Sequence, residues 1–232
     1  CPSKVADAKM KMYNLDGSEG KMCGNGIRCV GKFLYDHGMV DINEKDEITI
    51  ETLSGIKKLK AYTSGGKVNR LRVDMGKAIL DPKEIPVVLD GDKVVDRPVE
   101  IAGKNYNITC VSMGNPHCVV FMDDIDNLDI ETVGPEFEND KLFPERVNTE
   151  FVTVLDDHTI KMRVWERGSG ETWACGTGAC AVAVAACENG FCKKGEDIKI
   201  KLKGGDLIIN YTDETVYMTG NAEKVFEGEV EV

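Results

Sequence analysis

The chain has 232 residues, 42% of them hydrophobic, enough for two domains of ordinary size each to bury a core. Against 29 Lys and Arg stand 40 Asp and Glu, a formal net charge of −11, which argues against nucleic acid or an anionic membrane as partner, because phosphate contacts need clustered cations. No apolar run reaches the about 18 residues of a membrane-spanning helix, and nine cysteines, an odd number without small-scaffold spacing, point to free thiols in a reducing cytoplasm.

In chain order the predicted elements are mostly strands wrapped around two helices. A helix over about 24–37 places Ile27, Val30 and Leu34 on one face and ends at His37-Gly38, as a C-cap does. Strand-like segments follow at 47–51, 56–62 and 68–74, joined by turn residues such as Ser64-Gly65-Gly66. The stretch 77–105, with Asp81-Pro82, Ile85-Pro86 and Gly91-Asp92, reads as a connection into a second domain. Strands are expected again at 106–111, 117–122, 150–155 and 159–165. Gly178 to Cys187 is Ala, Val and Cys on every side, the pattern of a helix buried all round. Strands at 197–202, 206–211 and 215–219 close the list, and antiparallel hairpins dominate.

The two halves repeat one another. Lys9-Met10-Lys11-Met12-Tyr13-Asn14 aligns without gaps on Lys161-Met162-Arg163-Val164-Trp165-Glu166, and nine residues later each copy reaches Cys-Gly-x-Gly, at Cys23 and at Cys175, where 175 − 23 = 152. Each copy then enters a helix closed by glycine, Gly38 and Gly190. Glu47-Ile48-Thr49-Ile50 matches Asp197-Ile198-Lys199-Ile200, and Gly55 matches Gly205. A period this long means two homologous domains rather than a solenoid. The expectation is an α/β fold of the α+β kind with two pseudo-symmetric domains, 1–76 and 77–220, each an antiparallel sheet around a central helix, with 221–232 packing back on the first. The counterpart of Gly114-Asn115-Pro116-His117 in the first copy would fall before residue 1, so the chain is expected to be N-terminally incomplete.

A cysteine just before a glycine-rich turn and a helix sits where free backbone N–H groups and the helix dipole favour negative charge, which lowers a thiol's pKa. The glycines let a ligand approach, so the same N–H groups can hold a carboxylate or a developing oxyanion. One such cysteine reads as a small buried hydrophobe. Two at matching places in a duplicated fold read as an acid/base pair that removes a proton from one face of a carbon and returns one to the other.

Asp16-Gly17-Ser18-Glu19 with Met22-Cys23-Gly24-Asn25-Gly26-Ile27-Arg28-Cys29, Gly114-Asn115-Pro116-His117, and Glu166-Arg167-Gly168-Ser169-Gly170-Glu171-Thr172 leading into Ala174-Cys175-Gly176-Thr177-Gly178-Ala179 closely resemble diaminopimelate epimerase. The resemblance implies a fold of that family and interconversion of LL- and meso-diaminopimelate on the route to lysine, with two cysteines and neither pyridoxal phosphate nor any metal or other cofactor. It makes Cys23 and Cys175 the acid/base pair, with His117 and Glu166 tuning the thiols. Gly24, Asn25, Gly176 and Thr177 would hold the reacting α-carboxylate. Asn14, Asn115, Asn148, Glu166 and Arg167 would bind the rest of the substrate, Arg167 gripping the distal carboxylate and Glu166 an ammonium group. A small-molecule substrate and a homodimer are the implied partners. The chain departs from the family at its start, where a Gly-Asn-Asp-Phe segment is expected and absent.

Each residue also has a plainer meaning: His117 a satisfied core histidine, Glu166-Arg167 a surface ion pair, Asn148 a turn cap. Cys1, Cys29, Cys110, Cys118, Cys180, Cys187 and Cys192 read as packing residues, without the CxxC pairs that mark zinc. The alternatives to an epimerase of diaminopimelate are a proline or hydroxyproline racemase of the same fold, and a thiol redox protein in which Cys23 and Cys175 form a disulfide.

Overall fold

The structure, a computed structural model, describes residues 1–13, 17, 19, 20, 22–42 and 47–229. It divides into two compact units, Cys1–Val73 with Thr219–Val232, and Asp74–Met218.

The first unit contains β1 (Ala8–Lys9), α1 (Gly24–Asp36), β2 (Ile48–Thr52), β3 (Gly55–Ser64) and β4 (Lys67–Gly76), with the strands side by side in that order. Gly65 and Gly66 both hold positive φ, 59° and 74°, so the β3–β4 hairpin turns with the twist its strands require. α1 buries Ile27 and Leu34 and packs on β2 and β3, where Ile48, Ile50 and Leu59 are wholly enclosed, as is Leu71 on the neighbouring β4. Residues near 221 rejoin this unit: Ala222 N donates to Asn69 O and Arg28 Nε to Asn221 O, both at 3.3 Å.

The second unit runs through β5 (Arg97–Ile101), β6 (Lys104–Ser112), β7 (Pro116–Phe121), α2 (Ile130–Glu138), β8 (Asn148–Asp156), β9 (Thr159–Glu166), β10 (Gly170–Thr172), α3 (Gly176–Glu188), β11 (Asp197–Leu202), β12 (Gly205–Tyr211) and β13 (Val216–Asn221). Its strand order is β13-β12-β11-β9-β8-β7-β6-β5, with β10 added beside β9. α3 touches β6, β7, β8, β11 and β12, and every residue from Gly178 to Ala186 is buried, so its Ala and Val side chains let strands close around it. Phe137 packs edge-on against Phe151 and Tyr106, at ring separations of 5.3 and 4.9 Å, and centres a second core beneath α2.

The sequence repeat is a structural one, read separately in each unit. α1 and α3 are both 13 residues long. β2 and β3 meet at Thr52↔Gly55, β11 and β12 at Leu202↔Gly205. The parallel pairs agree as well: Ala8↔Ile50 between β1 and β2 corresponds to Ile160↔Ile200 between β9 and β11, where 160 − 8 = 152 and 200 − 50 = 150.

Two elements depart from the sequence reading. The stretch 77–105, read as a connection, contains β5, whose Pro98 is tolerated because β5 ends the strand order and an edge strand need not donate on both sides. α2 has no counterpart among the expected elements, and Gly134-Pro135 inside it has poor helix propensity. Asp129 caps it by accepting from Thr132 N, and burial of Ile130 and Phe137 holds the remaining turns. Among the cysteines, Cys110, Cys118, Cys180 and Cys192 are buried as expected of packing residues, but Cys1 and Cys29 are exposed.

Gly134 itself is required by packing. A Cβ there would lie 2.3–2.6 Å from three atoms of the Trp165 indole, a rigid group that cannot bend aside. Gly134→Ala is expected to lower stability by about 1–3 kcal/mol even though alanine is the better helix former; a denaturant midpoint at or above that of the parent would contradict this packing.

Candidate active site

Both Cys-Gly-x-Gly cysteines are helix N-caps. Cys23 has φ −131° and ψ 115°, and its Sγ accepts the backbone N–H of Gly26 at 3.3 Å; Cys175 has φ −122° and ψ 111°, and its Sγ accepts that of Gly178 at 3.4 Å. The sulfur thus takes one of the four amide hydrogens a helix start leaves unpaired, and it does so where the helix dipole is positive.

In the first unit, Cys23 is half-buried and Gly24 is buried, its carbonyl accepting from Arg28 Nη1 at 3.1 Å. Asn25 follows in the same turn. Its Oδ1 is enclosed and has no hydrogen-bond partner among the described residues. Asn14 lies outside the described residues.

In the second unit the residues form one hydrogen-bonded line leading to Cys175. Asn115 Nδ2 donates to Thr177 Oγ1 at 3.4 Å, and the Thr177 hydroxyl lies 3.5 Å from Cys175 Sγ. The other end of the Asn115 amide, Oδ1, faces His117 Nε2 at 3.1 Å. Because an amide oxygen only accepts, Nε2 carries a hydrogen. His117 Nδ1 meets Glu150 Oε1 at 2.7 Å, so a second proton lies between the ring and the carboxyl group. Likewise Thr177, having accepted from Asn115, is free to turn its own hydrogen toward the sulfur.

His117 and Glu150 are both wholly enclosed, and Glu150 Oε2 has no partner among the described residues. Burial pushes the Glu150 carboxyl above its ordinary range, with the His117 ring opposing and the Glu166 charge adding. Gly176 and Gly178 are buried in the first turn of α3, and a Cβ on Gly178 would meet Glu150 Oε1 at 2.5 Å and Cys175 Sγ at 3.2 Å. The second glycine of the motif therefore makes room for a carboxyl group beneath the helix start. Glu150 is absent from the sequence reading; its one signal there is an acid next to the apolar Phe151-Val152 in a strand-like run, and the structure buries all of residues 148–152.

Asn148 is 5% exposed and engaged at both ends, donating from Nδ2 to Pro116 O at 2.8 Å and accepting from Arg167 N at 3.0 Å. Arg167 Nη1 donates to Glu145 O at 2.8 Å, leaving the rest of its guanidinium for another partner. Thr172 Oγ1 donates to Glu166 Oε1. Glu166 and Arg167 are thus not bonded to one another in a surface ion pair.

The helix start does not by itself make Cys175 a ready thiolate. Burial pushes its thiol well above the ordinary range, the Glu166 and Glu150 charges push it further, and the bonds from Thr177 and Gly178 oppose without prevailing. The lowered pKa expected from the motif gives way to a raised one at Cys175, because the sulfur is buried and has acids for neighbours. In the substrate-free protein, peptide-resolved iodoacetamide labelling of Cys175 at pH 8 is expected to run at least about tenfold slower than labelling of a free cysteine, rising only at more alkaline pH; labelling at the free rate by pH 7 would refute a protonated Cys175.

A model of the diaminopimelate epimerase family matches residues 1–80 and 109–225. The diaminopimelate epimerase of Agathobacter rectalis is 52% identical over 240 residues, covering 100% of this chain and 82% of the relative. That of Acetivibrio thermocellus is 53% identical over 233 residues, covering 100% and 81%. Among solved structures, a probable proline racemase from Agrobacterium radiobacter shares the fold, with a TM-score of 0.77 at 16% identity over 100% of this chain and 74% of that one. The fold is therefore the one built from two similar halves that a proline racemase also uses. The chain belongs to the diaminopimelate epimerase family and is an enzyme of the isomerase class. Among the described residues no helix is long and apolar enough to cross a membrane.

Proposed function

We propose that the protein interconverts LL- and meso-diaminopimelate by proton transfer between two thiols and one α-carbon, with no cofactor. The observation that carries the reading is the recurrence, at equivalent positions, of a cysteine N-cap whose Sγ takes the third amide of a glycine-rich first turn. It is supported by relatives above 50% identity that carry the name diaminopimelate epimerase.

In one direction Cys23 acts as base. Its thiolate takes the α-hydrogen as a proton, and the electron pair of the broken C–H bond stays on the substrate, spread into the α-carboxylate. Cys175, entering as a thiol, gives its proton to the opposite face and becomes the thiolate. The roles exchange in the other direction. Backbone amides at Gly24-Asn25 and Gly176-Thr177 offset the charge that grows on the carboxylate. The Asn115, His117 and Glu150 line governs Cys175 through Thr177, and Glu166 adds a negative charge near the same sulfur. Asn14, Asn115, Asn148 and Glu166 contact the remaining polar groups of the substrate, Asn25 supplies its unpaired Oδ1, and Arg167 holds the distal carboxylate. The reading extends to a cytoplasmic homodimer in lysine biosynthesis, which nine free thiols and the family resemblance favour.

Reduced full-length protein given LL-diaminopimelate in D2O is expected to place solvent deuterium at the inverted α-carbon. Cys23→Ala and Cys175→Ala are each expected to lower kcat at least about a thousandfold with circular dichroism unchanged. Full turnover by either single variant would sink the two-thiol scheme, and disulfide cycling without deuterium incorporation would favour a redox protein.

A further inference from the structure

Glu138, the last residue of α2, has no place in the chemistry proposed above, yet it is a carboxylate 6% exposed with both oxygens engaged. Oε1 accepts from Gly168 N at 2.9 Å and from Arg146 Nη1 at 3.0 Å; Oε2 accepts from Trp165 Nε1 at 2.7 Å. These donors belong to the two segments that hold Arg167. Trp165 and Gly168 flank Glu166-Arg167 in the turn from β9 to β10. Arg146 precedes Asn148, whose Oδ1 accepts from Arg167 N, and follows Glu145, whose carbonyl accepts from Arg167 Nη1. Arg146 also has φ 59°, a conformation costly for any residue but glycine, and it needs an anchor to persist.

We infer that Glu138 is a positioning residue for Arg167: by tying Arg146 to Gly168 it fixes the spacing of the two segments and thereby the direction in which the guanidinium presents its free nitrogens to the distal carboxylate. This rests on the reading of Arg167 given above. Arginine recognises a carboxylate through a planar fork, so a small tilt of the fork weakens substrate binding while leaving the reacting carbon and its thiols in place. The carboxylate is also required as such. An amide at 138 could accept at one end only; its NH2 would face either Trp165 Nε1–H or the N–H groups of Gly168 and Arg146, donor against donor.

The test is Glu138→Gln in the full-length protein, with steady-state kinetics on LL-diaminopimelate, thermal unfolding, and Arg167→Ala beside it. The expected result is a KM about tenfold higher with kcat within about twofold. Replacing Trp165 by Phe in the Glu138→Gln protein removes the opposed donor and lets the amide oxygen face Gly168 and Arg146, so KM should return most of the way. That double variant also serves if the single one does not fold. A KM unchanged in Glu138→Gln, or one that stays high in the double variant at parental thermal stability, overturns the assignment to Glu138. If Arg167→Ala leaves KM unchanged, it is the reading of Arg167 that fails.

Discussion

A sulfur atom accepting a backbone amide at a helix start is the interaction on which the rest of this molecule turns. Cysteine is a poor choice for it on stability grounds. Ser, Thr, Asp and Asn are the favoured N-caps, their oxygens being stronger acceptors, and such a cap contributes about 1 kcal/mol. Asp129 does that ordinary work for α2. Cys23 and Cys175 occupy the same structural position with the same backbone geometry, and a serine at either would cap at least as well. What a thiol adds is a proton that can leave. Around Cys175, Gly178 admits a carboxyl group below the sulfur, and in the scheme proposed above the glycines at 24 and 176 bring the helix amides within reach of the substrate.

Most of this was legible in the sequence because the repeat is spelled out in residues that local rules govern. Both capped helices, the hairpins closed by Gly55 and Gly205, and the buried alanine helix follow from turn chemistry and periodicity, and the registers of the two parallel pairs preserve the offset the aligned residues predict. The motif residues of the second copy, Asn115, His117, Thr177 and Cys175, are drawn from separate stretches into one hydrogen-bonded line.

What escaped depends on contacts far apart in sequence. α2 is not among the expected elements; Gly134 and Pro135 carry the wrong local propensities for it, and only the Trp165 ring on one side explains the glycine. Glu138 and Glu150 carry no local mark of a special role. Nothing near Glu150 says that its partner is a histidine 33 positions earlier, and nothing near Glu138 says that it collects donors from residues 146, 165 and 168. A buried carboxylate is stable only where several donors converge. Convergence is a property of the fold.

The same reasoning applies to Cys175, whose state the motif alone would misjudge. Cys-Gly-x-Gly places each sulfur against a helix start, and local chemistry would give both the same pull toward the thiolate. At Cys175 the surroundings oppose that pull: every residue of α3 from Gly178 to Ala186 is buried, and Glu166 and Glu150 act on the sulfur. Cys175 is therefore held as a thiol by burial and by Glu166 and Glu150. In the scheme proposed above, a reaction with two bases must begin with one sulfur carrying a proton and the other not, since two thiols cannot start it and two thiolates cannot finish it. In that scheme Cys175 enters as the thiol, and the Thr177 hydroxyl, which accepts from Asn115 and lies 3.5 Å from the sulfur, steadies the negative charge once the proton has gone.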